Sequence, residues 1–426
     1  MTIALLFIVF LGLLLIGAPI SSSIGLALIV ESGVTGDFSL NYIGRGLVSA
    51  LDSFPVLAVP IFIFAGEIMA QGGISKRLFN FANSCVGRFT GGVPMATILT
   101  CMLFGAISGS GSATFAAVGT IMIPIMAAQG YDKNFITALT ASSGGLGTLI
   151  PPSLPMVMYA VAAGLSVNDM FMSGIIPGVL CGIALMVYAY IFCRKNPVKV
   201  DESIAPRMPV LVSLRKGALA LLCPVIILGG IYAGVFTATE AAAVAALYGL
   251  IVSIFIYKTL AFKDIPRLLL KCASQVAPIL LIVAAATVLG RVLTLEKVPK
   301  IISDAVLSAT NSKFLILLAM NIILLIAGML MEALAATLIL TPIFLPIASG
   351  IGVDPIHLGV IIVANLAIGF VTPPVGTNLY IASGLTGIPI KDIFKHAIGP
   401  IIALLIAQVL IVCIPQLSTW LPSLLP

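Results

Sequence analysis

Charge is what this sequence has little of. Only 8% of its 426 residues are Asp, Glu, Lys or Arg, against about 25% in an average soluble domain. The scarcity is also local. None of the four occurs in 89–131, 134–168, 170–193, 217–239, 241–257, 272–290, 314–331, 333–353, 355–390, 393–394 or 396–426. The chain is 60% hydrophobic, and a water-soluble fold of this length has no way to hide so much apolar surface. A helix needs about 20 apolar residues to cross the hydrocarbon of a bilayer. Several of these runs are therefore one span each, and the longest hold more than one element.

Other absences narrow the function. The seven cysteines (85, 101, 181, 193, 223, 272 and 413) form no CxxC, which excludes the usual metal and disulfide frameworks. They read as small buried hydrophobes. The two histidines, His357 and His396, fall near span ends with no catalytic partner in view. Every Asp falls near a membrane surface, so an intramembrane aspartyl protease lacks its pair. No enzyme, catalytic residue, cofactor or nucleic-acid partner is expected. No Lys or Arg precedes the apolar stretch 3–30, which is too long for a signal h-region and reads as a first span.

What charge there is has a pattern. The stretch 194–216 carries six Lys/Arg against Asp201 and Glu202. Basic residues also gather at Lys76, Arg77 and Arg88 and at Lys258, Lys263, Arg267 and Lys271. The positive-inside rule puts these segments in the cytoplasm. The single tryptophan, Trp420, reads as an interfacial anchor.

The chain also repeats itself. IMIPIMAAQGYD (121–132) aligns with IFLPIASGIGVD (343–354) at an offset of 222, and the same offset puts Pro151-Pro152 on Pro373-Pro374. One residue later, Asp169, Phe171 and Pro177 fall on Asp392, Phe394 and Pro400. Two structural repeats follow, 1–195 and 238–426, joined over 196–237 by the basic loop and one extra span. The first comprises scaffold spans over 3–70, a surface arm at 75–90, a hairpin entering from inside at 93–128, a broken helix at 134–166 and a span at 170–193. The second comprises spans over 238–293, an arm at 296–311, an outer hairpin at 314–350, a broken helix at 356–386 and a last span at 392–415. With the N-terminus in the cytoplasm, the extra span inverts the second repeat. That arrangement leaves only Arg45, Arg291, Lys297, Lys300 and Lys313 of the 21 Lys/Arg outside. The fold class expected is an all-α polytopic membrane protein of two inverted repeats, a design known among secondary transporters.

Each repeat is interrupted by two polar, small-residue patches: SGSGSAT (108–114) and SSGGLGTLIPPS (142–153), then GMLMEALAAT (328–337) and NLAIGFVTPPVGTN (365–378). A Pro-Pro pair breaks a helix, and the freed carbonyls are tolerated at membrane depth only against protein, water or an ion. Half-helix ends add partial charge of either sign. A hairpin tip facing a broken helix, twice, reads as two cation sites flanking a substrate cleft. Taken singly, such a patch is ordinary, since Gly and Pro are common in membrane helices; four in symmetric positions are not. Glu332, alone in an uncharged stretch, reads either as a site residue or as a helix cap. Glu240, after Thr237-Ala238-Thr239, reads as a helix-start residue. Glu67 and Arg45 read as structural groups near the membrane surfaces.

An ordered set of segments carries a resemblance: PIFIFAGEIMAQGG (60–73), FGAISGSGSATFAAVGTIMIPIM (104–126), GY (130–131), LIPPSLPMVMYA (149–160), FMSGIIPG (171–178), FTATEAAAVAALYG (236–249) and GFVTPPVGTNLYIASG (369–384). Together they resemble the large membrane subunit of tripartite ATP-independent periplasmic (TRAP) transporters, over nearly the whole chain. The resemblance implies an elevator-type fold in the bacterial inner membrane and uptake coupled to Na⁺. It implies two partners, a small four-helix membrane subunit and a periplasmic substrate-binding protein. The implied substrate is an organic acid such as sialic acid or a C4-dicarboxylate. It places a first sodium site at Ser108, Ser110, Gly145, Gly147, Thr148 and Ile150, and a second around Gly328, Glu332, Gly369, Thr372 and Val375. The substrate cleft then falls near Ser112, Ser153, Thr337, Thr377 and Asn378. ALAAT (333–337) is less polar than SGSGSAT, which favours backbone carbonyls at the second site. Under this reading Gly369→Val abolishes Na⁺-dependent uptake without harming the fold. The rival reading is a dicarboxylate symporter that needs no binding protein.

Overall fold

The computed structural model describes residues 2–36, 38–198, 204, 206–310 and 312–424. Asp201 and Glu202 of the basic loop lie outside the described residues. Among the described residues the chain is helical with no strand, and ten helices are long and apolar enough to cross a membrane. The protein is an all-α polytopic membrane protein.

Residues 3–30 are not one continuous span. They belong to two helices packed against each other, α1 (Thr2–Leu15) and α2 (Ile20–Thr35). Gly17 takes a left-handed φ of 85°, and Pro19, with no amide hydrogen to give, stands at the start of α2. The amphipathic α3 (Leu40–Leu51) follows, burying Ile43, Gly46 and Ala50. Next come α4 (Ala58–Gln71) and the first arm, α5 (Ile74–Val86), which buries Leu78, Phe79 and Ala82 while Lys76 stays exposed.

Hairpin one is α6 (Gly92–Ser108) and α7 (Gly111–Ala128). The first broken helix runs as α8 (Lys133–Gly144), a single turn α9 (Leu146–Leu149) and α10 (Leu154–Ala163). The long α11 (Val167–Lys195) closes this half, and α12 (Val210–Tyr232) joins it to the next. Then follow α13 (Ala238–Ile251), continued by a π-turn over Val252–Ile256, α14 (Ile265–Leu295) and the second arm, α15 (Val298–Ala309). Hairpin two is α16 (Lys313–Leu330) and α17 (Ala333–Gly350). The second broken helix is α18 (Pro355–Gly369) and α19 (Thr377–Thr386), and α20 (Ile390–Cys413) and the short α21 (Gln416–Thr419) end the chain.

Helix starts recur at the sequence offset. Ser110 caps α7 where Glu332 caps α17, and Asp132 caps α8 where Asp354 caps α18. Each side chain accepts a backbone N–H that the helix itself leaves unpaired. Both Pro-Pro peptide bonds, 151–152 and 373–374, are cis. Glu240 forms a reciprocal capping box with Thr237 at the start of α13.

The two broken helices form the centre of the molecule. Residues 137–160 are buried throughout except Ile150, and so are 357–371. Outer helices instead turn large apolar side chains away from the protein, as with Ile183, Val187 and Ile191 on α11 and Phe314, Ile322 and Ile326 on α16. That inversion of the soluble pattern suits a hydrocarbon solvent.

Candidate functional site

The tip of hairpin one is a three-residue reversal. Ser108 ends α6, Gly109 turns at a φ of 65°, and Ser110 caps α7. The tip is docked on the first helix break. Leu154 N–H donates to the Gly109 carbonyl at 3.0 Å, and a Cβ on Gly109 would sit 2.7 Å from the Pro152 oxygen. Ser108 Oγ lies 2.7 Å from Thr114 Oγ1 and 3.3 Å from the Ser110 carbonyl. Gly147 lies directly under this tip, because a Cβ there would come within 2.8 Å of the Ser110 oxygen and 2.3 Å of Thr114 Oγ1. Ser108, Ser110, Gly147 and Thr148 are thus brought together. Gly145 sits one turn back, its carbonyl accepting the Thr148 hydroxyl at 2.7 Å. Ile150 lies on the far side, against Gly178.

The tip of hairpin two docks in a parallel way. Val375 N–H donates to the Met329 carbonyl at 3.0 Å. Gly328 and Gly369 touch backbone to backbone, so that a Cβ on Gly369 would fall 2.4 Å from the Gly328 carbonyl carbon. Gly369→Val therefore meets backbone between α16 and α18, and carries a packing cost beside any effect on an ion. Thr372 turns its hydroxyl back to the Ile368 carbonyl at 2.9 Å. Glu332 accepts Leu334 N–H at 2.9 Å as the cap of α17 and also lines the cavity described next. Cap and cavity positions coincide in this residue.

A cavity of about 620 Å³ opens between the tips and helices α4 and α14. Ser108, Ser110, Ser112, Thr148 and Glu332 line one side, and Glu67, Gln71, Lys271, Ser274 and Gln275 the other. Of the five substrate candidates, Ser112 lines it and the other four do not. Ser153 is buried, its hydroxyl bonded to the Thr148 carbonyl while it caps α10. Thr337 is buried in the first turns of α17. Thr377 opens α19. Asn378 is buried and joins the two broken helices, its Nδ2 donating to the Ala141 carbonyl at 2.8 Å. Its Oδ1, like Thr337 Oγ1, has no partner among the described residues.

Two features escaped the sequence. Glu67 is a cavity residue rather than a surface group. It is paired with Lys271 and accepts from Gln71 Nε2 at 2.7 Å. Lys271 is 204 positions away in the chain, so no local spacing announces the pair. A buried carboxamide cluster also links hairpin two to the core. Asn321 Oδ1 accepts from Asn365 Nδ2 at 2.5 Å and from Gln408 Nε2 at 3.0 Å. Three carboxamides inside charge-free runs were the available signal.

The donors gathered at the tips are hydroxyls, carbonyls and one carboxylate, with no sulfur or imidazole. Such a set suits a hard monovalent cation rather than a transition metal. Among the described residues no group of three His, Cys, Asp or Glu is placed to hold a metal ion.

Comparison with known proteins bears on the whole chain. The family model described as "Tripartite ATP-independent periplasmic transporter, DctM component" matches residues 7–417. The chain is 44% identical over 411 residues to an isethionate TRAP transporter permease protein, DctMQ, of Oleidesulfovibrio alaskensis, covering 96% of this chain and 64% of that one. It therefore spans less than two thirds of that relative. It is 44% identical over 377 residues to a C4-dicarboxylate TRAP transporter large permease protein, DctM, of Pseudomonas aeruginosa, covering 88% of each. Among solved structures it is similar in fold to the YdaH transporter of Alcanivorax borkumensis, with a TM-score of 0.63 at 14% identity over 88% of each chain.

Proposed function

From the premise that this chain belongs to the DctM component family of tripartite ATP-independent periplasmic transporters, we propose that it carries an organic acid across the inner membrane together with Na⁺, driven by the downhill entry of the ion. The substrate arrives on a periplasmic binding protein, and a small four-helix membrane subunit completes the permease. The substrate class is a C4-dicarboxylate, sialic acid or a small sulfonate such as isethionate. All are anions that half-helix N-termini suit.

The observation that carries this reading is the doubled tip. Two hairpins, related by the internal repeat, each meet a helix break through one backbone hydrogen bond, Leu154 to Gly109 and Val375 to Met329. Na⁺ at Ser108, Ser110, Gly145, Gly147, Thr148 and Ile150 orders the first tip. Na⁺ at Gly328, Glu332, Gly369, Thr372 and Val375 orders the second. The substrate lies between them beside Ser112, with Ser153, Thr337, Thr377 and Asn378 as the supporting shell. The hairpins and broken helices then move as one block against the remaining spans, with the N-terminus cytoplasmic. Coupling requires that ions and substrate together favour the moving state.

The test is reconstitution of the chain with its small subunit in liposomes, with the binding protein and labelled substrate outside. Uptake is expected only with the binding protein present and an inward Na⁺ gradient. Equal uptake in K⁺ removes the coupling ion, and uptake without the binding protein makes the chain a self-sufficient symporter.

A further inference from the structure

The cavity of about 620 Å³ has a wall that the tips do not supply. On α14 its lining residues are Lys271, Ser274, Gln275 and Pro278. Steps of three and four put them on one helical face, and all four are exposed. On α4 the lining residues are Gly66, Glu67, Ala70 and Gln71, a second face with the same spacing. Gly66 fixes where this wall meets the tips. A Cβ there would lie 3.2 Å from Ser108 Cα, so Glu67 stands beside tip one. The α7 residues of the same cavity, Ser112, Ala116 and Thr120, carry no charge.

Among the described residues, the charged groups lining the cavity are Glu67, Glu332 and Lys271. An organic anion inside it therefore meets two carboxylates and one cation. Lys271 is paired with Glu67, and Glu67 Oε1 also accepts from Gln71 Nε2 at 2.7 Å. The Glu67 side chain is 12% exposed and that of Lys271 53%. The carboxylate is thus set into the wall, and the ammonium is left accessible. An ammonium has three donors, and the bond to Glu67 uses one. A brace between α4 and α14 would account for the pair, but not for Ser274 and Gln275 exposed on the next turn of the same face.

We infer that Lys271 is the substrate-contacting cation of this cavity, taking the carboxylate or sulfonate of an organic anion as it leaves the tips, a role that rests on the proposed carriage of such an anion. Glu67 and Gln71 are positioning residues, which hold the ammonium in the wall when no anion is there. Lysine suits the task because it acts as a point charge, without the planar fork that makes arginine selective for a two-oxygen partner. Carboxylate and sulfonate are then served alike. Lys271 also closes the basic run Lys258, Lys263, Arg267 and Lys271, whose end of the molecule the positive-inside rule makes cytoplasmic. The cation stands between the tips and that surface, on the path of release.

The experiment is a calorimetric titration of the chain with its small subunit in detergent, in saturating Na⁺. Succinate, N-acetylneuraminate and isethionate are the three probes. At least one is expected to bind the wild type. For that anion Lys271→Gln raises the half-saturating concentration about tenfold, the loss of one charge-assisted contact, and Lys271→Arg restores binding. Glu67→Gln lowers it, because the competing carboxylate is gone. Opposite signs are the decisive feature, since a brace is broken equally from either side. If Lys271→Gln alone misfolds by leaving Glu67 unpaired, the double variant carries the test and binds more weakly than Glu67→Gln. No binding of any probe to the wild type overturns the carriage of an organic anion and this role with it. Binding that Lys271→Gln and Glu67→Gln leave unchanged, or move in one direction, overturns the role of Lys271 alone.

Discussion

The two hairpin tips share a plan but not an environment. Each docks on a helix break through one backbone bond, and each opens its second helix with a side-chain cap. Around tip one nearly everything is enclosed, for α6 buries all but three of its residues and the break behind it is buried apart from Ile150. Tip two is peripheral. Five residues of α16 are buried, and at its break Pro374 and Val375 are exposed. Packing therefore holds tip one. Tip two depends on a Gly328–Gly369 contact, a charged cap and the carboxamide cluster behind it. Two copies of one unit thus serve different ends, one rigid and one with less to lose on opening.

The sharpest way to break that contrast is to overfill both sites. Gly147→Val drives a side chain into Thr114 and the Ser110 carbonyl with no free volume around it. We expect a loss of about 3 kcal/mol, the upper end of overpacking costs, and little folded protein in size-exclusion chromatography. Gly369→Val meets the Gly328 backbone at 2.4 Å, but α16 faces outward and can shift to relieve it. It should lose about 1 kcal/mol and remain purifiable, with uptake impaired. The reverse order of melting midpoints would make tip two the rigid one.

A smaller effect separates the caps. Ser110 and Glu332 occupy equivalent positions, but only Glu332 carries charge. Glu332→Gln keeps an acceptor for Leu334 N–H and removes the charge. If a cation sits at tip two, the half-saturating Na⁺ concentration for uptake rises about tenfold, equal to 1.4 kcal/mol, while the midpoint barely moves. Ser110→Ala instead removes a cap, costs about 1 kcal/mol of stability and lowers the midpoint accordingly. A Na⁺ curve unchanged by Glu332→Gln, with a lowered midpoint, would leave Glu332 as a cap alone.

Legibility in the sequence followed the same divide. The breaks and tips were visible because Pro-Pro pairs and Gly/Ser runs are local signals, repeated at a fixed offset. Membership of the DctM family was visible in the same segments. Pro19 and Gly17 were equally local, yet the apolar run over 3–30 masked them, since composition does not report a break between two apolar helices. What stayed hidden was long-range. The Glu67–Lys271 pair and the Asn378–Ala141 bond across 237 positions are products of packing. No periodicity in either segment contains its partner. Glu332 was ambiguous for a physical reason: a carboxylate at a helix start serves equally as a cap and as a charge facing a cavity.

The smallest expected effect tests what holds the peripheral tip. Asn321 Oδ1 accepts from both Asn365 and Gln408, so Asn321→Leu removes the acceptor at the centre of the cluster; Asn365 must find another, while Gln408 Nε2 keeps the Ile361 carbonyl at 3.2 Å. Hydrogen bonds between membrane helices average about 0.6 kcal/mol in double-mutant cycles. Two lost bonds should therefore lower stability by roughly 1 kcal/mol at most. The informative part is where the loss appears. Hydrogen exchange should quicken in α16 and the start of α17 while α6 and α7 stay protected, because hairpin one shares no bond with the cluster. Equal loosening of both hairpins would mean that they are coupled through the core, and the distinction between a rigid and a yielding tip would fail.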